Sequence, residues 1–238
     1  MAAGISGFSP RQKARIAGVL YLLIIAGGAF AELYVREAAF VSTSATATVQ
    51  NILSQPLRFR LGFAVHLAYL LCAVPIAVIF YGLFKRVSSG LALLMFAFNL
   101  VAIAVEGAAV LNHFAAIRIL DAVALGGLSL PEATPLAYSF LRLFFSGFAI
   151  SLVFFAGFCL SAGVLIYRSG FLPRVIGPLM GLAGIAYLVN SFSLFIAPAF
   201  ASLLFPFVLL PPFAAELTLA LWLTIKGLDE TAFAKLAP

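Results

Sequence analysis

Apolar residues run through this chain in long blocks, and the polar positions fall between the blocks rather than alternating within them. Crossing about 30 Å of hydrocarbon takes about 20 helical residues. Six blocks reach that length, at roughly 15–35, 59–84, 89–115, 140–167, 175–197 and 202–225. This predicts an all-α polytopic membrane protein, six transmembrane helices in one bundle, with residues 1–238 forming a single transmembrane domain. Two larger loops are expected, at 41–57, where ATATVQNIL suits a short surface helix, and at 119–137, which holds Gly126-Gly127 and two prolines. The first block, with Arg11, Lys13 and Arg15 before it and Ala29-Phe30-Ala31 within it, has some likeness to a cleavable leader. It runs on apolar to Val35, so an uncleaved span is expected.

Composition gives the same class. Of 238 residues, 64% are hydrophobic and 9% charged, and the mean hydropathy is +1.18, against roughly 25% charged in soluble domains. The net charge of +6 does not form a nucleic-acid patch, because the basic residues stand in ones and twos at block ends. Lys13, Lys85, Lys226 and Lys235, with Arg11, Arg15, Arg86, Arg168 and Arg174, fall on one side of the alternation. By the positive-inside rule that side is cytoplasmic, with both termini in. Cys72 and Cys159 stand alone in apolar surroundings and read as core residues.

A short pattern occurs twice. SGFSPR at residues 6–11 is followed by Ala17-Gly18 and Tyr21-Leu22, and SGFLPR at 169–174 by Ala183-Gly184 and Tyr187-Leu188, the second offset being longer by three residues. Proline suits a first helical turn and arginine an interface. Either a duplication with a small insertion or two separate interfacial solutions accounts for it. The pairs Gly147/Ser151, Gly157/Ser161 and Gly177/Gly181 supply small faces for close helix packing.

RIAGVLYLL in the first span, LFK after the second, YRSGFLPRVIG after the fourth and AELTLALWLTIKG at the end, in this order over about residues 11–228, resemble the bacterial membrane proteins of domain-of-unknown-function family 4386 (DUF4386). The resemblance implies six helical spans, and with them a multi-pass protein of the bacterial inner membrane. It implies no activity, cofactor or catalytic residue.

Function therefore rests on ionisable groups at membrane depth, each costing about 2.5–3.5 kcal/mol on insertion scales. Counting 1.5 Å per residue from the cytoplasmic ends puts Glu216 and Asn99 near the midplane, at about 15 Å, and Glu32, His66, Glu106 and Asn190 at about 24–28 Å. Arg36, Arg60, His113 and Arg142 count to about 31–39 Å. Asn99, Glu106 and His113 repeat every seven residues and so share a stripe, expected to face protein rather than lipid. Pro206, Pro211 and Pro212 interrupt the last block; a simple kink is expected there, with a new half-helix at PPFAAEL as the alternative.

The polar set Glu32, Arg36, His66, Asn99, Glu106, His113, Arg142, Asn190 and Glu216 suits an outward-facing pocket that binds or transports a small ligand, a cation or a proton, with Glu106 and Glu216 sharing it. Six spans are few for a transporter, which a homodimer would remedy. The alternatives are a metal-dependent membrane hydrolase using His66, His113 and glutamates, a haem held by the two histidines, and a structural or partner subunit. The sequence identifies no cofactor and no ligand beyond the lipid bilayer.

Overall fold

The computed structural model describes residues 7–236, so Ser6 of the first SGFxPR copy and both chain ends lie outside the described residues. The described residues form helices and turns and no strand. They build α1 (Pro10–Ala29, continued by a π-helical stretch Phe30–Arg36 and by Glu37–Ala39), α2 (Ala45–Ser54), α3 (Pro56–Phe84), α4 (Ser89–Ala124) and α5 (Leu130–Ser169). After these come α6 (Ile176–Ile196), α7 (Pro198–Leu204), α8 (Leu210–Ile225, preceded by a 3₁₀ turn Phe207–Leu209) and α9 (Glu230–Ala234). Six stretches are long and apolar enough to cross a membrane: Pro10–Ala39, Pro56–Phe84, Ser89–Ala124, Leu130–Ser169, Ile176–Ile196 and Phe207–Ile225. The protein is an all-helical, multi-pass membrane protein.

The expected loop at 119–137 is largely helix. The apolar periodicity does not stop at the end of the hydrophobic block: Ile117, Leu120, Ala137 and Leu141 carry on into a buried cluster. The turn itself needs only a few residues around Gly126, whose φ of +75° suits a side chain without Cβ. Glu132 then closes the start of α5 as one half of a capping box, its carboxylate accepting from the Ser129 backbone N–H at 2.9 Å and from the Ser129 hydroxyl at 2.6 Å. At 36 and 40 residues, α4 and α5 measure about 54 and 60 Å, well beyond the hydrocarbon thickness.

The last block also differs from expectation. Helical structure stops at Leu204 and α8 begins afresh at Leu210, with Pro211 and Pro212 in its first turn. The break, not a simple kink, is what the prolines produce: they lack the N–H groups that a continuing helix would use, and the first turn is where that loss is harmless. Pro75, by contrast, sits inside α3, which continues through it.

The contacts divide the chain into two compact units, Met1–Leu23, Cys72–Ile103 and Ala149–Pro238 in unit 1, and Ile24–Leu71 and Ala104–Phe148 in unit 2. Unit 1 buries Phe80, Phe84, Met95, Phe158, Leu165, Met180 and Leu219. Its exposed carbonyls at the end of α8 are met by arginines of α1: Arg11 Nε donates to the Lys226 carbonyl at 3.2 Å and Arg15 Nη2 to that of Ile225 at 3.0 Å. Phe233 of α9 packs edge-on against Phe171, and the Arg86 guanidinium lies 4.7 Å from the centre of its ring. Unit 2 is organised around Val35, Ala39, Val49, Ile52, Phe59 and Ala116 together with the α4 and α5 residues named above. The surface helix expected in the 41–57 segment is α2, capped by the Ser44 hydroxyl, which accepts from the Ala47 N–H at 3.1 Å.

Candidate functional site

Glu216 lies on the second turn of α8 and is 8% exposed. Its Oε2 accepts a hydrogen bond from the Tyr21 hydroxyl at 2.9 Å, and its Oε1 accepts one from Tyr187. Among the described residues no Lys, Arg or His pairs with it. The two donors are the tyrosines of the repeated Ala-Gly-x-x-Tyr-Leu pattern. Counted from the first SGFxPR proline the two copies are out of step, yet counted from the start of their helices they agree: Ala17 lies seven residues after Pro10 and Ala183 seven after Ile176. The three-residue difference is the turn between Pro173 and the start of α6. Ala17 and Ala183 are both fully buried, which lets each helix approach its neighbour closely. The full motif is not used alike, since Phe171 is buried while Phe8 is 43% exposed. What the copies share is the tyrosine.

A second polar cluster belongs to unit 2. His66 Nε2 and Glu106 Oε1 are 2.9 Å apart, and the Tyr69 hydroxyl lies 2.6 Å from that oxygen and 2.5 Å from that nitrogen. Tyr69 follows His66 by three residues on α3, so one helix face supplies both. His113, two turns beyond Glu106 on α4, is buried against Phe59 with ring centres 4.3 Å apart. The rings of Phe144 and Phe148 from α5 meet His66 edge-on.

Residues 16–227 match the protein family described as Domain of unknown function (DUF4386). The chain belongs to this family. No curated protein and no solved structure matches it. The match fixes kinship and leaves the chemistry of this DUF4386 protein to its own residues.

The remaining expected site residues take varied places in the DUF4386 chain. Glu32 and Arg36 pair with each other across one turn of the π-helical stretch. Asn99 is buried, as the seven-residue stripe with Glu106 and His113 requires. Arg142 is exposed and Asn190 half-buried. Asn99, Asn190 and Glu216 belong to unit 1, and Glu32, Arg36, His66, Glu106, His113 and Arg142 to unit 2. Each of the two deep glutamates has its own set of partners. Among the described residues no group of three or more His, Cys, Asp or Glu could hold a metal ion, which removes the ligand set of the metal-hydrolase reading. His66 Nε2 is engaged by Glu106 and Tyr69, and aromatic rings lie against both imidazoles.

Sequence reasoning missed Tyr21, Tyr69 and Tyr187. The repeated pattern singled out two of them, but a tyrosine within a span was read as part of a packing motif. Tyr69 carried its own signal, a hydroxyl one turn from an intramembrane histidine.

Proposed function

We propose that this DUF4386 protein is a membrane binding or transport protein that takes up and releases a proton, or a small cation in its place, at Glu216. The observation that supports this is the Tyr21–Glu216–Tyr187 arrangement, in which Glu216 forms no ion pair with a Lys, Arg or His among the described residues. A lone carboxylate at bilayer depth carries an insertion cost of about 2.5–3.5 kcal/mol, so its charge must be neutralised by a proton or a cation. Two tyrosine hydroxyls suit both states. An ionised carboxylate accepts one hydrogen from each. When protonated, its own O–H can donate to one tyrosine oxygen while the other oxygen still accepts. The same three side chains thus serve both forms, and exchange needs no rebuilding of the site.

A structural clasp is the second reading, favoured by the fact that both carboxylate oxygens are already hydrogen-bonded. Infrared difference spectroscopy on protein reconstituted in lipid separates the two. Under the proposal, a pH step changes the carboxylic C=O band of the wild type, and Glu216→Gln removes that change while the protein stays folded. If the wild type shows no pH-dependent carboxyl band that Glu216→Gln abolishes, the clasp is structural. We further propose that both termini face the cytoplasm of a bacterial cell, that the polar residues open outward, and that two copies associate as a dimer.

A further inference from the structure

The arginines of unit 2 are not held alike. Arg36 pairs with Glu32, and Arg60 and Arg118 pair with Asp121. Arg58, in the first turn of α3, is half-buried and forms no ion pair among the described residues. Neutral groups fix its place. Its Nη1 donates to Gln55 Oε1 at 2.9 Å, and the guanidinium carbon lies 3.8 Å from the centre of the Tyr34 ring. A ring face attracts the cation and orients its plane without neutralising it.

The Arg58 Nε is buried and has no hydrogen-bond partner. A buried donor on a charged group is costlier to leave unanswered than one on a neutral group. Arg58, Asn51 and Gln55 line one cavity of about 10 Å³, closed on its apolar side by Ala39 and Phe59. That is room for one water-sized atom. The polar lining is rich in donors. Gln55 keeps its amide N–H groups once Oε1 has accepted from Arg58, and Asn51 Nδ2 gives one long bond, to the Ala39 carbonyl at 3.4 Å. The first backbone N–H groups of α3 add to the positive field. A full positive charge, a buried donor and space for one atom suit an anion that turns a single oxygen inward and keeps the rest outside.

We propose that Arg58, Gln55 and Asn51 bind the phosphodiester of a membrane lipid, one non-bridging oxygen entering the cavity to accept from Arg58 Nε. The single negative charge of the diester balances the guanidinium, which a water in the same space would not do. The level is right for a headgroup, because Pro56–Phe84 is long and apolar enough to cross the membrane and Arg58 stands at its end. Leu57 and Leu61, both exposed and one turn apart, continue along α3 as apolar surface for an acyl chain. A free phosphate ion offers the same oxygen and has no use for that surface. The site lies in unit 2 and does not depend on what binds at Glu216.

Magic-angle-spinning NMR of ¹⁵N-arginine-labelled full-length protein tests the contact. The Nε resonance missing from Arg58→Lys, or from Arg58→Gln should the lysine variant not fold, belongs to Arg58. In phosphatidylglycerol bilayers that resonance is expected to lose intensity when coupling to lipid ³¹P is restored. In bilayers of digalactosyldiacylglycerol, which has acyl chains and no phosphorus, added inorganic phosphate should leave it unchanged. No loss in phosphatidylglycerol overturns the proposal. A loss with inorganic phosphate in the galactolipid assigns the site to the free ion and overturns the lipid as its occupant. Native mass spectrometry gives a second measurement: Arg58→Gln should retain one phosphatidylglycerol fewer than wild type, and Arg60→Gln the same number as wild type. Equal retention by wild type and Arg58→Gln, or an equal drop in both variants, overturns the site.

Discussion

A carboxylate held by two tyrosines differs from one held by arginine in what its removal does. Arginine would be left as an uncompensated buried charge, whereas a tyrosine loses one acceptor. Interhelical hydrogen bonds in membranes average about 0.6 kcal/mol and reach about 1.7 kcal/mol. Tyr21→Phe and Tyr187→Phe should each fall toward the upper end, about 1–2 kcal/mol, because each leaves one oxygen of a buried carboxyl without its donor. In a Glu216→Leu background the same two substitutions should cost almost nothing. Unfolding measured in a double-mutant cycle checks this, and a penalty for Tyr21→Phe that persists without Glu216 would show that the ring, not the hydroxyl, is what matters. The equal treatment of the two tyrosines is the observable trace of the repeated Ala-Gly-x-x-Tyr-Leu pattern.

Helix contacts in unit 1 depend on residues without side chains. A methyl group added at Gly177 would come within 2.7 Å of the Gly163 carbonyl oxygen and within 3.0 Å of the Tyr167 backbone nitrogen, and backbone cannot swing aside. At Gly181, one turn along the same helix, such a group meets nothing within 4 Å. Gly177→Ala should therefore destabilise by about 1–3 kcal/mol, as overpacking does, while Gly181→Ala should be neutral or slightly favourable to the helix. Thermal unfolding in detergent compares the two, and equal midpoints would refute the close contact. The sequence marked both glycines as one small-residue face without telling them apart, since spacing says which residues share a face and not which of them meets backbone. The same limit applied to the elements as a whole. Six spans were legible because apolar block length is a direct reading of bilayer thickness. The true ends of α4 and α5 were not, because Arg118, Asp121 and Glu132 end the apolar block while the helix continues on the packing of Ile117, Leu120 and Leu141. In the last block the prolines were visible but their effect was not. Pro75 continues a helix and Pro211 starts one, and only the neighbouring chain decides which.

Charge is divided over the molecule more sharply than the blocks alone suggested. Unit 1 holds nine of the basic residues and three of the acidic ones, and unit 2 holds five of each, so the whole net charge of +6 belongs to unit 1. All four lysines, Lys13, Lys85, Lys226 and Lys235, are in unit 1. Three of the five arginines of unit 2 stand in ion pairs, Arg36 with Glu32 and both Arg60 and Arg118 with Asp121. Lys and Arg near span ends bias a segment toward the cytoplasm and neighbouring acids change this little, so nine basic residues in unit 1 against five in unit 2 is the asymmetry that counts. This argues that the α4–α5 turn is translocated and the lysine-bearing ends are retained. A cysteine at Leu130→Cys, in protein whose Cys72 and Cys159 have been replaced by alanine, should react with a membrane-impermeant maleimide added outside intact cells. Phe8→Cys should react only after the membrane is opened. Reversal of that pattern would mean that the charge asymmetry does not set the orientation.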